Sequence, residues 1–301
     1  MNRAIWLTIF ALGACEPDNW GPDELAQGTS QQRQKLLERG RQSYAMYCVG
    51  CHGEKGDGNG PAARFLNPKP RDFRVGRLKF AGVPANSAPT DEDYLRVIDH
   101  GLSGTAMPSW NLVSRAEQKA IVAYVKTFYP GWGKDDEVPP VSLPADPFRG
   151  KPEAGIAEGE RLYHGFTACY NCHPAYVLKP KIAEYSASYK LPITEFRPAL
   201  YESVEKESDW GANIRPPDFL VDRLKLASTR ELLALVIATG VGGTAMPSWA
   251  SSLKPEQLWG LAYYVESLTQ KRGTPAATQL KQTLETQPAW QPPQPEPAPA
   301  Q

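Results

Sequence analysis

The sequence has little cysteine, methionine and histidine, and it has no net charge. Its 301 residues include five Cys, four Met and four His, while 33 Lys or Arg balance 33 Asp or Glu. The neutral balance and the lack of a basic domain argue against a nucleic-acid partner. Strand-like alternation of apolar and polar residues is scarce, which favours an all-α fold. Beyond the N-terminus, the chain lacks an apolar run of about 20 residues that could span a bilayer.

The one prominent apolar run, AIWLTIFAL, follows Arg3 at the N-terminus. It is too short to span a bilayer and is typical of a signal-peptide core. The tetrapeptide LGAC that follows resembles the bacterial lipoprotein signal, in which Cys15 becomes the acylated N-terminus. We therefore predict a signal peptide over 1–15, export, and a lipid anchor on Cys15 at the periplasmic side of a bacterial membrane. The alternative is an incidental Cys15 and cleavage nearby by another peptidase.

The other four cysteines form two C-x-x-C-H motifs, CVGCH at 48–52 and CYNCH at 169–173. Two disulfides or one zinc site shared by four thiols are the alternatives, but neither uses the histidines. C-x-x-C-H is the attachment signature of c-type haem, whose vinyl groups bond to the thiols and whose iron binds the adjacent imidazole. The motifs predict two covalent haem c groups, with these residues: Cys48, Cys51 and His52, then Cys169, Cys172 and His173.

The heptapeptide GTAMPSW occurs twice, at 104–110 and at 243–249, once behind each motif. The thioether of methionine is a soft iron ligand that raises the reduction potential of haem. We predict that Met107 and Met246 are the sixth ligands of the two irons. The neighbouring glycines allow a close approach of the backbone, and the prolines stiffen the loop. The alternative is a core methionine in a turn.

The repeat extends along both halves of the chain. Gly40-x3-Tyr44 matches Gly159-x3-Tyr163, and RDFRVGRLKF from Arg71 matches PDFLVDRLKL from Pro217, which pairs Lys79 with Lys225. Capped helices follow, one with a Ser-x-x-Glu box at Ser114 and another at Ser228. We predict two all-α domains with flanking segments: a tether 16–35, domain 36–135, a Pro-rich linker 136–150, domain 151–272 and a disordered Pro-rich tail 273–301.

Both halves resemble class I cytochrome c domains, and together they resemble diheme c-type cytochromes of bacterial respiratory chains. The segment CHGEKGDGNGPAARFLNPKPRDF is a close match to the loop that follows the haem cysteines in that family, and the resemblance covers roughly 36–131 and 154–270. It implies haem c bound through Cys48 and Cys51, with His52 and Met107 as axial ligands. It implies a second haem c bound through Cys169 and Cys172, with His173 and Met246 as axial ligands.

The second half departs from this pattern in three ways. Tyr163 and Cys169 are two residues further apart than Tyr44 and Cys48, so we expect a bulge or kink in the entering helix. Pro174 replaces the glycine that follows the first motif. His173 and Asp218 are 45 positions apart, against 20 between His52 and Asp72. We expect this insertion to change the exposure of the second haem edge and what docks there.

Other residues give weaker indications. We expect His100 to interact with the negative end of its helix rather than to act as a ligand. We expect His164 to face solvent, the alternative being a hydrogen bond near haem. Trp110 and Trp249 either donate to a haem propionate or pack against the ring. Six bases from Arg64 to Lys79 form a run interrupted by one acid, Asp72. This basic run is either a solvated face with some propionate partners or a docking patch for an acidic protein.

The function that these predictions favour is electron transfer between a redox-protein donor and acceptor. Two irons that both have His and Met ligands leave no open coordination position for a substrate. One alternative is a diheme enzyme, such as a peroxidase or a sulfur-compound dehydrogenase, in which one iron opens. Another is the cytochrome subunit of a larger membrane oxidoreductase.

Overall fold

The structure is a computed structural model that describes residues 28–132, 138–227 and 229–292. These residues form nine α-helices, short 3₁₀ turns and one two-stranded sheet, which confirms the all-α prediction. None of these helices is both long enough and apolar enough to cross a bilayer. The predicted signal peptide, Cys15 and most of the tether lie outside the described residues.

Four helices build the first half of the chain: α1 Ser30–Tyr47, α2 Val49–His52, α3 Asp91–His100 and α4 Arg115–Lys126. Their starts follow from side-chain caps, because Thr29 and Thr90 each form a capping box. The predicted cap at Ser114 is present and accepts the backbone N–H of Glu117 at 3.3 Å. The local sequence therefore determines where these helices begin.

The second half adds an inserted helix and hairpin to the same plan. Its elements are α5 Pro152–His164, α6 Lys179–Ser188, β1 Lys206–Glu207, β2 Asn213–Ile214, α7 Arg230–Thr239 and α8 Pro255–Gln270. The strands are antiparallel and pair Lys206 with Ile214. Helix α7 is capped by Thr229, whereas the predicted cap, Ser228, lies outside the described residues.

The first and last helices of each half pack closely at a repeated glycine. A Cβ on Gly40 of α1 would lie 2.0 Å from the carbonyl oxygen of Ala120 on α4, and one on Gly159 of α5 would lie 2.0 Å from that of Gly260 on α8. No side chain fits at either crossing. The matching glycines of the sequence repeat are therefore packing positions that bring α1 against α4 and α5 against α8.

The segment between α5 and the second motif is not the bulged or kinked helix that the sequence led us to expect. Helix α5 ends at His164, Ala168 adopts a left-handed conformation with φ of 44°, and a 3₁₀ turn spans Cys169–Asn171. The two additional residues therefore end the helix and start a separate turn. The expected bulge or kink in the helix is wrong.

The C-terminal segment, predicted to be disordered, contains a helix. Helix α9 covers Pro275–Glu285, inside the segment predicted to be disordered. It buries Ala277 and Leu284, and the Nζ of Lys281 lies 2.6 Å from a carboxylate oxygen of Asp218. Further on, Trp290 packs edge-on against Phe196 with ring centroids 4.7 Å apart. Composition predicted disorder, but apolar contacts with the second half order this helix.

Candidate functional site

Each predicted proximal histidine is oriented by a backbone carbonyl. Nδ1 of His52 lies 3.1 Å from the carbonyl oxygen of Arg71, and Nδ1 of His173 lies 2.9 Å from that of Pro217. A carbonyl can only accept, so each Nδ1 carries the proton and Nε2 keeps its lone pair. Burial lowers the pKa of both imidazoles, which favours the neutral form. Both rings can therefore bind a metal through Nε2.

A phenylalanine stacks on each of these rings. Phe73 lies on His52 with ring centroids 4.5 Å apart and an angle of 19° between planes. Phe219 lies on His173 at 4.9 Å and 20°. These phenylalanines belong to the Asp-Phe pairs of the sequence repeat. The stacking and the Nδ1 hydrogen bond together fix the orientation of each imidazole.

The repeated tyrosines hold the backbone just behind each motif. The hydroxyl of Tyr44 donates to the carbonyl of Gly53 at 2.8 Å, and that of Tyr163 donates to the carbonyl of Pro174 at 2.8 Å. Proline lacks an N–H but keeps its carbonyl. The replacement of glycine by Pro174 therefore preserves this hydrogen bond.

The threonine of each GTAMPSW loop makes two hydrogen bonds that close the loop. The hydroxyl of Thr105 donates to the Leu102 carbonyl at 2.8 Å and accepts the N–H of Met107 at 3.1 Å. In the second loop, Thr244 repeats both bonds, at 2.8 Å to the Val241 carbonyl and 3.1 Å from the N–H of Met246.

The serine of each loop ties it to the preceding helix. The hydroxyl of Ser109 donates to the carbonyl of Asp99 on α3, and that of Ser248 donates at 2.7 Å to the carbonyl of Ala238 on α7. Threonine and serine thus have specific backbone partners in both copies. These contacts give a physical reason for the identity of the two heptapeptides.

The cysteines of both motifs are partly buried free thiols. Burial raises the pKa of Cys48 to about 12 and that of Cys169 to about 11. Within the described residues, no three His, Cys, Asp or Glu side chains form a group that could hold a metal. The four thiols of the motifs therefore form neither the disulfides nor the shared zinc site considered as alternatives.

In the second half, the predicted ligands line one cavity of about 730 Å³. Its walls include Cys169, Cys172, His173 and Met246. The rest of the lining is mainly apolar, with Phe219, Trp249 and several leucines. Two thiols, an imidazole with a free Nε2 and a thioether in one apolar cavity fit a covalently attached haem.

Comparisons with known proteins agree with this chemistry. Residues 35–125 match the family model described as cytochrome c oxidase, cbb3-type, subunit III. A chain of the reducing HAO-like protein complex of Kuenenia stuttgartiensis is similar in structure, with a TM-score of 0.62 and 31% identity. The match covers 77% of this chain and 96% of that one. The chain belongs to the c-type cytochromes. No curated protein matches it significantly.

As a c-type cytochrome, the protein binds haem c covalently. The family match contains the first motif and Met107. The second motif lies outside the matched residues, and its local geometry supports a haem site there. Both histidines, both phenylalanines and both methionine loops have the same local contacts in the two halves of this cytochrome.

The insertion of this cytochrome places an aromatic side chain on the second methionine loop. Trp210 lies between strands β1 and β2, and a Cβ on Gly243 would lie 2.0 Å from its ring. The N–H of Asp209 also donates to the Gly243 carbonyl at 3.1 Å. The corresponding Gly104 of the first loop has open space at its Cα. The insertion therefore covers one of two otherwise equivalent loops.

Arg197, also in the insertion, holds the second motif from outside. Its guanidinium donates to the carbonyls of Tyr170 at 2.7 Å and His173 at 3.0 Å, and to Glu202 at 2.6 Å. Sequence analysis did not single out this arginine, because a side chain that donates to backbone carbonyls belongs to no motif of fixed spacing. In the first half, the backbone N–H of Gly58 donates to the corresponding carbonyl of His52 at 2.9 Å. Arg197 makes the equivalent contact with its side chain.

The expectation that His164 faces solvent is wrong. The side chain is fully buried, its Nδ1 donates to the Glu160 carbonyl at 3.0 Å, and its Nε2 accepts the N–H of Tyr176 at 3.0 Å. Burial lowers its pKa to about 3. A neutral histidine thus bridges α5 and the segment behind the second motif. Both ring nitrogens are used, so this residue is structural.

The weaker indications have mixed outcomes. His100 is exposed at the end of α3, where Nδ1 donates to the Arg96 carbonyl at 3.0 Å. Trp249 lines the cavity of the second half, whereas Trp110 packs against Tyr47 with centroids 5.3 Å apart. The predicted contacts of both tryptophans with haem, through a propionate or against the ring, stay predictions.

The basic run does not form one uniform solvated face. Arg74 pairs with Asp72 at 2.8 Å. Arg71 is directed toward the second half, where its guanidinium carbon lies 4.8 Å from the ring centroid of Trp210. At the two ends of the run, Arg64 lies over the ring of Phe65, 4.6 Å from its centroid, and Lys79 lines the second cavity.

Proposed function

We propose that this c-type cytochrome is an exported diheme electron carrier that passes electrons between protein partners. Haem c held by these residues supplies a reversible one-electron iron couple. In the first site, Cys48 and Cys51 would hold the haem, with His52 and Met107 as iron ligands. In the second site, Cys169 and Cys172 would hold it, with His173 and Met246 as iron ligands.

One observation carries this proposal: both halves repeat the same ligand geometry. Each histidine has its Nδ1 bound to a carbonyl and its Nε2 free, and each methionine loop is closed by the same threonine and serine contacts. An enzyme that opens one iron to a substrate would lose or replace one of these ligands. The chain keeps both sets, which favours a carrier.

A second candidate function is that of a cytochrome subunit in a larger complex. The similar Kuenenia stuttgartiensis chain belongs to a complex, and the match covers 96% of that chain. A subunit would still transfer electrons through the same residues. If the chain is such a subunit, further subunits should copurify with it from detergent-solubilised membranes without added crosslinker. If it is a free carrier, it should purify alone.

The decisive experiment counts the haems and tests whether either iron is open. Pyridine-hemochrome quantitation of the purified protein should give two covalent haems per chain, and haem staining should survive denaturing electrophoresis. The ferrous protein should not bind carbon monoxide, whereas Met107→Ala and Met246→Ala should each bind one equivalent. A single haem contradicts the diheme proposal. Rapid binding of carbon monoxide by the unmodified protein, or rapid peroxide reduction, favours the enzyme.

A further inference from the structure

The two halves contact each other through a pair of matching backbone hydrogen bonds. The N–H of Ser103 donates to the carbonyl of Lys225 at 2.7 Å, and the N–H of Gly242 donates to the carbonyl of Lys79 at 2.9 Å. Ser103 and Gly242 each lie four positions before a predicted methionine ligand, and the two lysines correspond in the sequence repeat. The interface is therefore nearly symmetric and brings both lysines together.

This interface lets the first half contribute to the cavity of the second. The cavity that contains His173 and Met246 is also lined by Lys79, Phe80, Ser103 and Gly104 from the first half. Lys225 of the second half lines the same cavity. Lys79 of the first half, with Lys206 and Lys225 of the second, thus reaches a site whose predicted iron ligands all come from the second half.

Three cations near this interface, Arg71, Lys79 and Lys225, form no ion pair in the described part of the chain, although the charges of Asp72 and Asp209 act on Arg71. No carboxylate there lies within ion-pair distance of Arg71, Lys79 or Lys225. Lys79 lies 6.0 Å from the ring centroid of Trp210, a contact that leaves the net charge uncompensated. Burial, and then the charges of Lys225 and Arg71, lower the pKa of Lys79 to about 8. A partly buried cluster of like charges requires a counter-charge.

We propose that Lys79 of the first half binds a carboxylate of the haem in the second cavity, together with Lys225. This inference rests on the proposed second haem. Haem is the anionic group that the lining of this cavity fits, and its carboxylates would lie in the same cavity as both ammonium groups. A nearby cation favours the reduced iron, which carries one positive charge less than the oxidised iron. The first half would thereby raise the reduction potential of the second haem.

The test is a redox titration of the full chain carrying Lys79→Gln. Visible absorbance follows two one-electron reduction waves, one for each haem. The wave whose potential changes in Met246→His is assigned to the second haem. Lys79→Gln should lower the potential of that wave and leave the other in place. A tenfold change in the reduction equilibrium corresponds to about 59 mV for one electron. Lys79→Arg, which keeps the charge, should retain the original potential.

The matched control is Lys69→Gln, which removes the same charge from an exposed residue of the basic run. It should move neither wave. Equal shifts of both waves in Lys79→Gln would indicate a general charge effect and overturn the proposal, as would no shift. Phosphate and chloride are titrated separately. If either anion changes the potential of the second wave in the unmodified protein but not in Lys79→Gln, a free anion occupies the site and the proposal is wrong.

Haem quantitation on each variant separates this inference from the proposed function. A count of one haem in the unmodified protein overturns both. Two haems with an unshifted second wave in Lys79→Gln overturn only the role of Lys79. Far-ultraviolet circular dichroism and the haem count of Lys79→Gln must equal those of the unmodified protein, because Lys79 lies at the interface.

Discussion

At the scale of single residues, the identity of the two heptapeptides comes from the polar side chains around the methionine. The methionine supplies a thioether, but the hydrogen bonds of the threonine and the serine fix the path of the loop backbone. Thr105 and Thr244 each satisfy a carbonyl and a methionine N–H within the loop. A hydroxyl donates one hydrogen bond and accepts others, so this one side chain satisfies both groups. The loop is therefore constrained at positions that never touch a metal.

Replacing this threonine tests that view. Thr105→Val keeps the shape and removes both hydrogen bonds, so the loop should be less stable by about 1–2 kcal/mol. The sulfur-to-iron charge-transfer band in the near infrared should be lost at a lower urea concentration than in the unmodified protein. Thr127→Val is the control, because that hydroxyl also donates to a carbonyl but is exposed at the end of α4. Equal effects of both variants would contradict the special role of Thr105.

His164 gives a prediction for pH dependence. Its pKa is about 3 in the folded protein and about 6.5 in the unfolded chain. Between these values the unfolded chain binds a proton that the folded protein does not, so stability falls as pH drops below 6.5. From pH 7 to pH 5 this one group should cost about 2 kcal/mol in the free energy of unfolding.

Urea unfolding at pH 7 and pH 5 measures this effect. His164→Gln should be less stable than the unmodified protein at pH 7 and should lose less stability on acidification. His100→Gln replaces an exposed histidine and should retain the full pH dependence. If His164→Gln and the unmodified protein lose equal stability between the two pH values, His164 is not the group responsible.

At the scale of elements, the two halves share one plan and differ in what is added to the second. The shared elements are two crossing helices joined at a glycine, a haem motif, and a methionine loop bound to the preceding helix. The second half adds α6, the hairpin and α9. Within the insertion, Arg197 contacts the second motif and Trp210 contacts the second methionine loop.

The contribution of α9 can be measured by truncation. A chain ending at Arg272 loses the buried side chains of Ala277 and Leu284 and the Lys281 partner of Asp218. The second half should be less stable by about 2–4 kcal/mol, because apolar burial and one partly buried ion pair are lost. Urea unfolding followed by circular dichroism measures the change. A chain ending at Pro292 keeps α9 and should unfold like the full chain, and equal stability of both truncations would show that α9 contributes nothing.

Sequence reasoning and structure agree where chemistry imposes a fixed spacing. The thiols and imidazole of each motif must be near neighbours, so the pattern predicts them directly, and the repeated tyrosine, glycine and phenylalanine positions all make equivalent contacts. The expectation for His164 was wrong because its Nε2 accepts from the N–H of Tyr176, which lies in the inserted segment. Helix α9 was missed because low average hydropathy hides two buried apolar residues. The contact of Trp210 with Gly243 has no local signal at all.

At the scale of the whole molecule, the near-symmetric pairing of the halves is the main feature that the sequence repeat did not reveal. A repeat predicts two similar domains but not the surfaces through which they meet. Here the contacts join the segment before each methionine loop to the lysine segment of the other half. The interface therefore lies next to both candidate sites, as the proposed electron carrier with two haems requires.

We expect the position of the molecule in the cell to depend on Cys15. We expect the exported chain to be held at a membrane by acyl groups on this residue, since LGAC follows a short apolar run. Labelling of cells with radioactive palmitate should mark the unmodified protein and leave Cys15→Ser unlabelled.

Cell fractionation tests whether the protein is anchored to the membrane. More than one acyl chain is needed for stable membrane attachment, so the unmodified protein should sediment with membranes even at high salt, which removes proteins bound only by charge. Cys15→Ser with an intact haem content should be soluble. Lys69→Gln, which changes surface charge but not Cys15, serves as the control and should sediment like the unmodified protein. Equal palmitate labelling of both proteins, or a soluble unmodified protein, would rule out the lipid anchor.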